Sequence, residues 1–215
     1  MKKLLVFIPS FLIGAMLLAQ TSFSAPDMKK ISKSLSGKNA ALYGRLMNRL
    51  QTNDTTLSLN DYQLLYYGTA LQAGYNPQKD SPLRDTLYGL FSNAQSGRAD
   101  FREVKKIANQ ILEQLPFDIR TLDPSIHASR MLNDNATADK LEMRMGRIIE
   151  TIYNSGDGRT ETTPFYVVST ANEVDMLRAL GFTPATIIAM QSGNLDFWKV
   201  KENDFGIDGF FFKVL

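Results

Sequence analysis

Residues 162–182, TTPFYVVSTANEVDMLRALGF, hold the change of period on which the fold turns. Phe165 to Ser169 is a run of aromatic and β-branched residues, the composition of a strand. The stretch after it switches to helical spacing. Thr170 stands as its N-cap, Glu173 completes a T-x-x-E box, and Gly181 followed by Phe182 marks its C-terminal stop. A strand running directly into a short capped helix places both α and β elements in this half of the chain.

Downstream, three further segments read as strands: Thr186 to Met190, Leu195 to Val200 and Phe210 to Val214. Ser192-Gly193-Asn194 and a longer turn ending in Asp208-Gly209 separate them. Short connections predict an antiparallel meander, which needs a helical layer over its apolar face.

Upstream of about residue 155 the signals are helical. In TLSLNDYQLLYYGTALQAGY (56–75), Ser58 and Asp61 have capping-box spacing and Gly74 supplies a stop. Tyr62, Leu65, Tyr66, Thr69 and Ala73 fall on one face of this helix, and Leu64, Tyr67, Leu71 and Tyr75 on the other. A helix apolar on two sides is predicted to lie between others. Ser81-Pro82 reads as an N-cap and first helical position, ahead of a stripe of Leu83, Leu87, Leu90 and Phe91. Phe101, Val104, Ala108, Ile111 and Leu115 keep helical spacing until Pro116. Asp123-Pro124 is predicted to start a short helix through His127 to Leu132, and Thr137 to Tyr153 the last one. Short loops between such helices imply antiparallel neighbours, with a repeat-like packing as one form, although no repeat consensus recurs. The fold class expected is α+β: an N-terminal antiparallel helical layer packed with a C-terminal antiparallel β-meander containing one inserted helix.

The chain opens MKKLLVFIPSFLIGAMLLAQTSFSA, with Lys2 and Lys3 ahead of an apolar stretch and small residues at its end. That is the plan of a secretory signal peptide over residues 1–24, with cleavage after Ala19 or Ser24. Residues 25–215 are then expected to form one globular domain, helical over about 28–155 and α+β over about 160–215. Location in the periplasm or outside the cell follows, with no membrane span once the leader is removed. Without it, the 24 Lys+Arg fall to 22, equal to the 22 Asp+Glu, so the sequence pI near 8.7 reflects the leader. A neutral chain whose basic pairs are only Lys29-Lys30 and Lys105-Lys106 excludes a nucleic-acid partner. The absence of cysteine removes disulfides and a lipidated anchor, leaving hydrophobic burial to hold the fold.

RLQTNDTTLSLNDYQLLYYG (49–68), LPFDIRTLD (115–123), NSGDGRTETTPFYVVS (154–169), EVDMLRALGF (173–182) and LDFWKVKENDFGIDGFFFKV (195–214) resemble, in that order, the motifs of domain of unknown function 4919. The resemblance runs from about Leu42 to the C-terminus. It implies a short exported bacterial protein and transfers no activity, ligand or catalytic residue. The family pattern favours a His-Glu-Tyr run where this chain has Asn172-Glu173-Val174.

The glycine-rich stretch NSGDGRT (154–160) resembles a phosphate cradle only superficially. A P-loop needs a strand before it and a helix after it, yet here a helix precedes, Tyr153 stands at the glycine position and Arg159 replaces the lysine. An EF-hand centred on Gly158 would need an acid at Tyr153 and a glutamate at Pro164. The economical reading is a glycine helix cap followed by an Asp157-Gly158 turn, with Asp157 and Arg159 as the pair that would face a ligand.

His127 is the sole histidine, and there is no G-x-S-x-G elbow, so neither a serine triad nor a zinc site is expected. Asp61, Asp157, Glu173 and Asp196 are the carboxylates on which hydrolysis or calcium binding could draw, but each has a structural explanation as cap, turn or strand-surface residue. Tyr62, Tyr66, Tyr67 and Trp198 combine aromatic area with a polar tip, which suits a core or a recognition face. The candidate binding residues are therefore Tyr62, Tyr66, Tyr67, Asp157, Arg159 and Trp198, with no catalytic residue, metal site or cofactor. Two function classes remain. One is a non-enzymatic module of the cell envelope that binds another envelope or extracellular protein or a small ligand, a periplasmic inhibitor or immunity protein being a special case. The other is a carboxylate-dependent hydrolase of an envelope or dietary polymer.

Overall fold

The computed structural model describes residues 23–97, 100–190 and 193–215. Residues 1–22 of the leader, with the Ala19 cleavage point, and Ser192 of the predicted turn lie outside the described residues. Helices α1 (Met28–Ser34), α2 (Leu42–Gln51), α3 (Leu59–Gly68), α4 (Arg84–Gln95), α5 (Phe101–Gln114), α6 (Ile119–Met131) and α7 (Asn135–Tyr153) precede strand β1 (Phe165–Val167). Helix α8 (Ala171–Ala179) and strands β2 (Pro184–Ala189), β3 (Leu195–Val200) and β4 (Gly209–Val214) complete the chain.

The helical stripes bury as their spacing dictates. Val104, Ala108 and Ile111 of α5 meet Leu87 and Ala94 of α4 and Ala128 of α6 in a small core of their own. A larger core joins Leu46 and Leu50 of α2, Leu65 and Tyr66 of α3, and Ile148 and Ile152 of α7 to Met176 and Leu177 of α8 and Phe165 and Phe212 of the sheet. Each fully buried aliphatic or aromatic side chain contributes about 1.5–3 kcal/mol relative to exposure. Helix α3 is buried on both sides, with Tyr66 fully enclosed and Tyr67 nearly so. Its capping box forms as expected: Asp61 N–H donates to Ser58 Oγ at 3.2 Å and Ser58 N–H to Asp61 Oδ2 at 2.9 Å. It ends at Gly68 and passes into a 3₁₀ turn over Thr69–Leu71, short of the predicted Gly74 stop.

The fold is α+β, and the sheet is mixed rather than antiparallel throughout. Its order is β1-β4-β3-β2. The meander β2–β3–β4 is antiparallel, with Ile187 opposite Trp198 and Trp198 opposite Phe210. β1, however, pairs parallel with β4, Phe165 opposite Phe212 and Val167 opposite Val214. The inserted α8 carries the chain over the sheet, so that the last strand returns beside the first. Tyr75 hydroxyl fixes that return by lying 2.9 Å from Val168 O and 2.8 Å from Leu215 O, and Leu215 N–H donates to Val167 O at 3.0 Å.

Three helix starts also differ from the sequence reading. α6 begins at Ile119 and carries Pro124 inside it, where the fixed φ of proline is compatible with the helix at the loss of one backbone hydrogen bond. α4 begins at Arg84, after a turn in which Ser81 Oγ accepts from Leu83 N–H at 3.2 Å. At α8, Thr170 has helical φ and ψ and caps nothing with its side chain. The expected Thr170–Glu173 box is absent because the Glu173 carboxyl is held elsewhere: it accepts from Trp198 Nε1 at 2.7 Å.

Candidate functional site

The SGDG corner is set by steric demand. Gly156 lies against the backbone carbonyls of Thr163 and Pro164, where a Cβ would overlap both. Gly158 has φ +66°, and a Cβ there would lie 2.6 Å from the Phe165 ring and 3.1 Å from that of Phe210. Asp157 Oδ1 accepts from Arg159 N–H at 3.0 Å and from Thr163 Oγ1 at 2.6 Å, closing the turn. Gly158 C=O receives Phe211 N–H at 2.7 Å, which ties the corner to β4. Arg159 is exposed and Asp157 half-buried. The stretch thus holds the edge of the sheet against α7.

Tyr62, Tyr66 and Tyr67 are brought together in the core, and their rings offer no open face. Tyr66 and Tyr67 pack edge to face at 5.2 Å, and Tyr66 packs the same way on Phe117 at 5.3 Å. Tyr66 hydroxyl donates to Asn172 Oδ1 at 2.9 Å and accepts from Val168 N–H at 3.3 Å. Tyr67 hydroxyl donates to Thr151 O at 3.0 Å. Burial raises both phenols above their ordinary value, Tyr66 most of all. His127 is half-buried between the rings of Phe91 and Phe101, apart from any of the candidate carboxylates in sequence and packed on the small core instead.

A cleft of about 320 Å³ opens where the helical layer meets the α+β part. Tyr43, Met47 and Gln51, spaced four apart on one face of α2, form one wall. The segment from Thr69 to Asn76 forms the second, and the turn from Glu113 to Asp118 the third. Val168, Ser169 and Asn172, at the junction of β1 and α8, make the floor. The tips of its two tyrosines are tied back: Tyr43 hydroxyl bonds Thr69 Oγ1 at 2.9 Å and Tyr75 is anchored as described above. Burial pushes the Tyr75 phenol up to about 12 and raises that of Tyr43. The floor residue Asn172, 1% exposed, accepts from Tyr66 and donates through Nδ2 to Phe117 O at 3.3 Å, so it couples α3, the α5–α6 turn and α8. The cleft is lined by aromatic, aliphatic and amide groups together with the charged side chains of Lys79, Glu113, Asp118 and Arg120.

Part of the charge lining the cleft, that of Asp118 and Arg120, is held in ion pairs. Asp118, which lines it, pairs with Arg84 Nη2 at 2.6 Å, and the same nitrogen reaches Asp80 Oδ1 at 2.7 Å. Arg84 Nη1 also donates to Thr121 Oγ1 at 2.7 Å. Asp175, buried one turn beyond Asn172, has its carboxyl pushed up to about 7 by burial, opposed by the Arg120 charge. On the far side of α8, Glu173 and Asp196 come into hydrogen-bonding reach beneath Trp198. Burial, with the Asp196 carboxylate adding to it, pushes the Glu173 carboxyl up to about 8. Only Glu173 Oε2 has a hydrogen-bond donor, Trp198 Nε1, and Oε1 is buried beside Asp196, an arrangement that favours the protonated carboxyl. Neither Glu173, Asp196 nor Trp198 lines the cleft. Trp198, Glu173 and Asp196 stand out singly in the sequence. Tyr43, Tyr75, Asp118 and Asn172 carry no sequence signal as neighbours, since they converge from segments far apart in the chain. Among the described residues, no group of three or more His, Asp or Glu side chains is placed to hold a metal ion, and no helix is long and apolar enough to cross a membrane.

A helical layer on a mixed four-stranded sheet, with a cleft at their junction, defines the class as an α+β chain. The chain belongs to the family described as domain of unknown function DUF4919, whose model matches residues 29–215. No curated protein and no solved structure matches it.

Proposed function

We propose that this chain is an exported, non-enzymatic binding module of the cell envelope, which takes a small ligand or the tip of a partner protein into the cleft at the α2–α3–α8 junction. The observation that carries this reading is the cleft itself. Its floor is a buried amide, Asn172, and two of its charged lining residues, Asp118 and Arg120, are held in ion pairs, while Lys79 and Glu113 line it without one among the described residues. The charged start and apolar run of residues 1–24 support export. Inhibition of an incoming enzyme is the form of this reading in which a protein tip fills the cleft. A hydrolase would instead need two carboxyls facing a substrate cavity. Glu173 and Asp196 are adjacent, but Glu173 is 1% exposed, accepts from Trp198 and does not line the cleft, which counts against that class.

The test is affinity capture from envelope extract with the wild-type chain and with Gln72→Trp, a substitution at the exposed rim that fills the cleft without touching its floor. A stoichiometric partner or ligand recovered by the wild type and lost with the variant is expected. Turnover of a polysaccharide or peptide panel, abolished by substituting one carboxylate, would replace the binding reading with the hydrolytic one.

A further inference from the structure

Strand β2 forms one edge of the sheet, and from Ala185 to Ala189 every residue is exposed. Ile187 and Ile188 are 45% and 40% exposed. Natural sheet edges are ordinarily protected by charged side chains, proline, bulges or a covering segment. Pro184 and a register shift between Pro184 and Thr186 protect only the start of this strand, and PATIIA carries no charge. Among the described residues, nothing covers the flat part from Thr186 to Ala189, which is left as an open template.

The backbone phase says which groups are free. Met190 N–H donates to Leu195 O, so Met190, Ile188 and Thr186 direct their backbone groups toward β3, while Ile187 and Ala189 direct theirs outward. We propose that β2 is a homodimer interface, in which two copies pair this strand antiparallel about a two-fold axis at Ile188 and join their sheets into one of eight strands.

A second copy fits this edge for three reasons. With the axis at Ile188, Ile187 of one copy lies opposite Ala189 of the other, twice, so large meets small at both hydrogen-bonded pairs. All four outward backbone groups of the flat segment are then satisfied in each copy, whereas shifting the axis to Ile187 would oppose Ala189 to Ala185 at the irregular start of the strand. Ile188 would meet its own counterpart at the close, non-hydrogen-bonded position on the outer face. That extends a row already present there, since Ile188 pairs with Phe197, and Phe197 with Phe211 at a ring separation of 4.7 Å. Because β2 is uncharged, no like charges are opposed across the axis. The contact is isologous and closed, as most homodimers are. None of the cleft residues lies on β2, so the dimer stands apart from the binding reading above.

The absence of cysteine gives a direct test. In the chain from Phe23 to Leu215, which contains every element described, Ile188→Cys would place two sulfurs at a facing pair within disulfide reach. Ile187→Cys and Thr186→Cys would each be displaced from their counterparts by two or more residues along the strand, roughly 7 Å or more. Under mild oxidation, Ile188→Cys is expected to cross-link to a dimer at least tenfold faster than the other two. The cysteine-free chain is expected to sediment as a dimer that Ile187→Lys converts to a monomer with unchanged circular dichroism. A monomeric wild type at about 100 μM, a larger open assembly, or cross-linking at residue 187 or 186 equal to that at 188 would each overturn the proposal.

Discussion

Gly158 illustrates how one residue can carry a motif that looks chemical. Its φ of +66° lies in the left-handed region, and the space where a side chain would begin is already filled by Phe165 and Phe210. Gly158→Ala therefore combines backbone strain with displacement of two core rings. It is expected to destabilise the fold by about 2–4 kcal/mol, read as a lower midpoint in urea at unchanged slope. The neighbouring substitution Arg159→Ala, at an exposed position, is expected to change stability by less than about 0.5 kcal/mol. Tyr66 gives a second case at this scale. Tyr66→Phe keeps the ring but removes the donor to Asn172 Oδ1 and the acceptor of Val168 N–H, stranding two buried groups. A loss of about 1–3 kcal/mol is expected, with secondary structure unchanged by circular dichroism.

Between elements, Arg144 of α7 does what no local signal announces. It is 3% exposed, has no carboxylate partner among the described residues, and donates to Asn53 Oδ1 at 3.1 Å and to Pro116 O at 2.6 Å, so it closes the ends of α2 and α5 onto α7. Burial lowers its guanidinium to about 10, still well above neutral, so it stays charged. Arg144→Lys keeps the charge but cannot make both contacts through a planar fork, and a loss of about 2–4 kcal/mol in denaturant unfolding is expected, larger than for Lys105→Ala on the surface of α5. Local chemistry was legible where it acts within a few residues. The Ser58–Asp61 box, the stripe of α5 and the boundaries of β3 follow directly from residue spacing. What spacing does not carry is pairing between distant segments. The parallel β1–β4 ladder joins residues some fifty positions apart, and Glu173, which reads as a cap three residues after Thr170, is instead claimed by Trp198 on a neighbouring strand. Pro124 failed as a boundary signal because the helix around it is held by packing on both α5 and α7.

At the scale of the whole molecule, the two halves are joined through buried acids under and beside α8, and this makes stability depend on pH in an unusual direction. Glu173 and Asp175 are both held above their ordinary range in the folded state, to about 8 and about 7, mainly because burial disfavours their charged forms. In the unfolded chain they titrate near 4. Between these limits the folded state binds more protons than the unfolded one, so the stability they contribute is complete at pH below about 4 and is lost as pH rises through 7 and 8. Paired surface acids act in the opposite sense: Asp134, drawn down to about 2 chiefly by its hydrogen bond with Lys105, contributes stability that disappears as pH falls toward 2. The two trends together predict a stability maximum on the acid side of neutrality. Urea unfolding at pH 5.5 and pH 9 is expected to show the wild type weaker at pH 9 by on the order of 3 kcal/mol. In Glu173→Gln the amide keeps the Trp198 contact and can donate to Asp196 at every pH, so the difference is expected to shrink by about half, with Asp175 responsible for the remainder. Equal stability of the wild type at both pH values would mean that water reaches these carboxyls and that α8 is not sealed against the sheet.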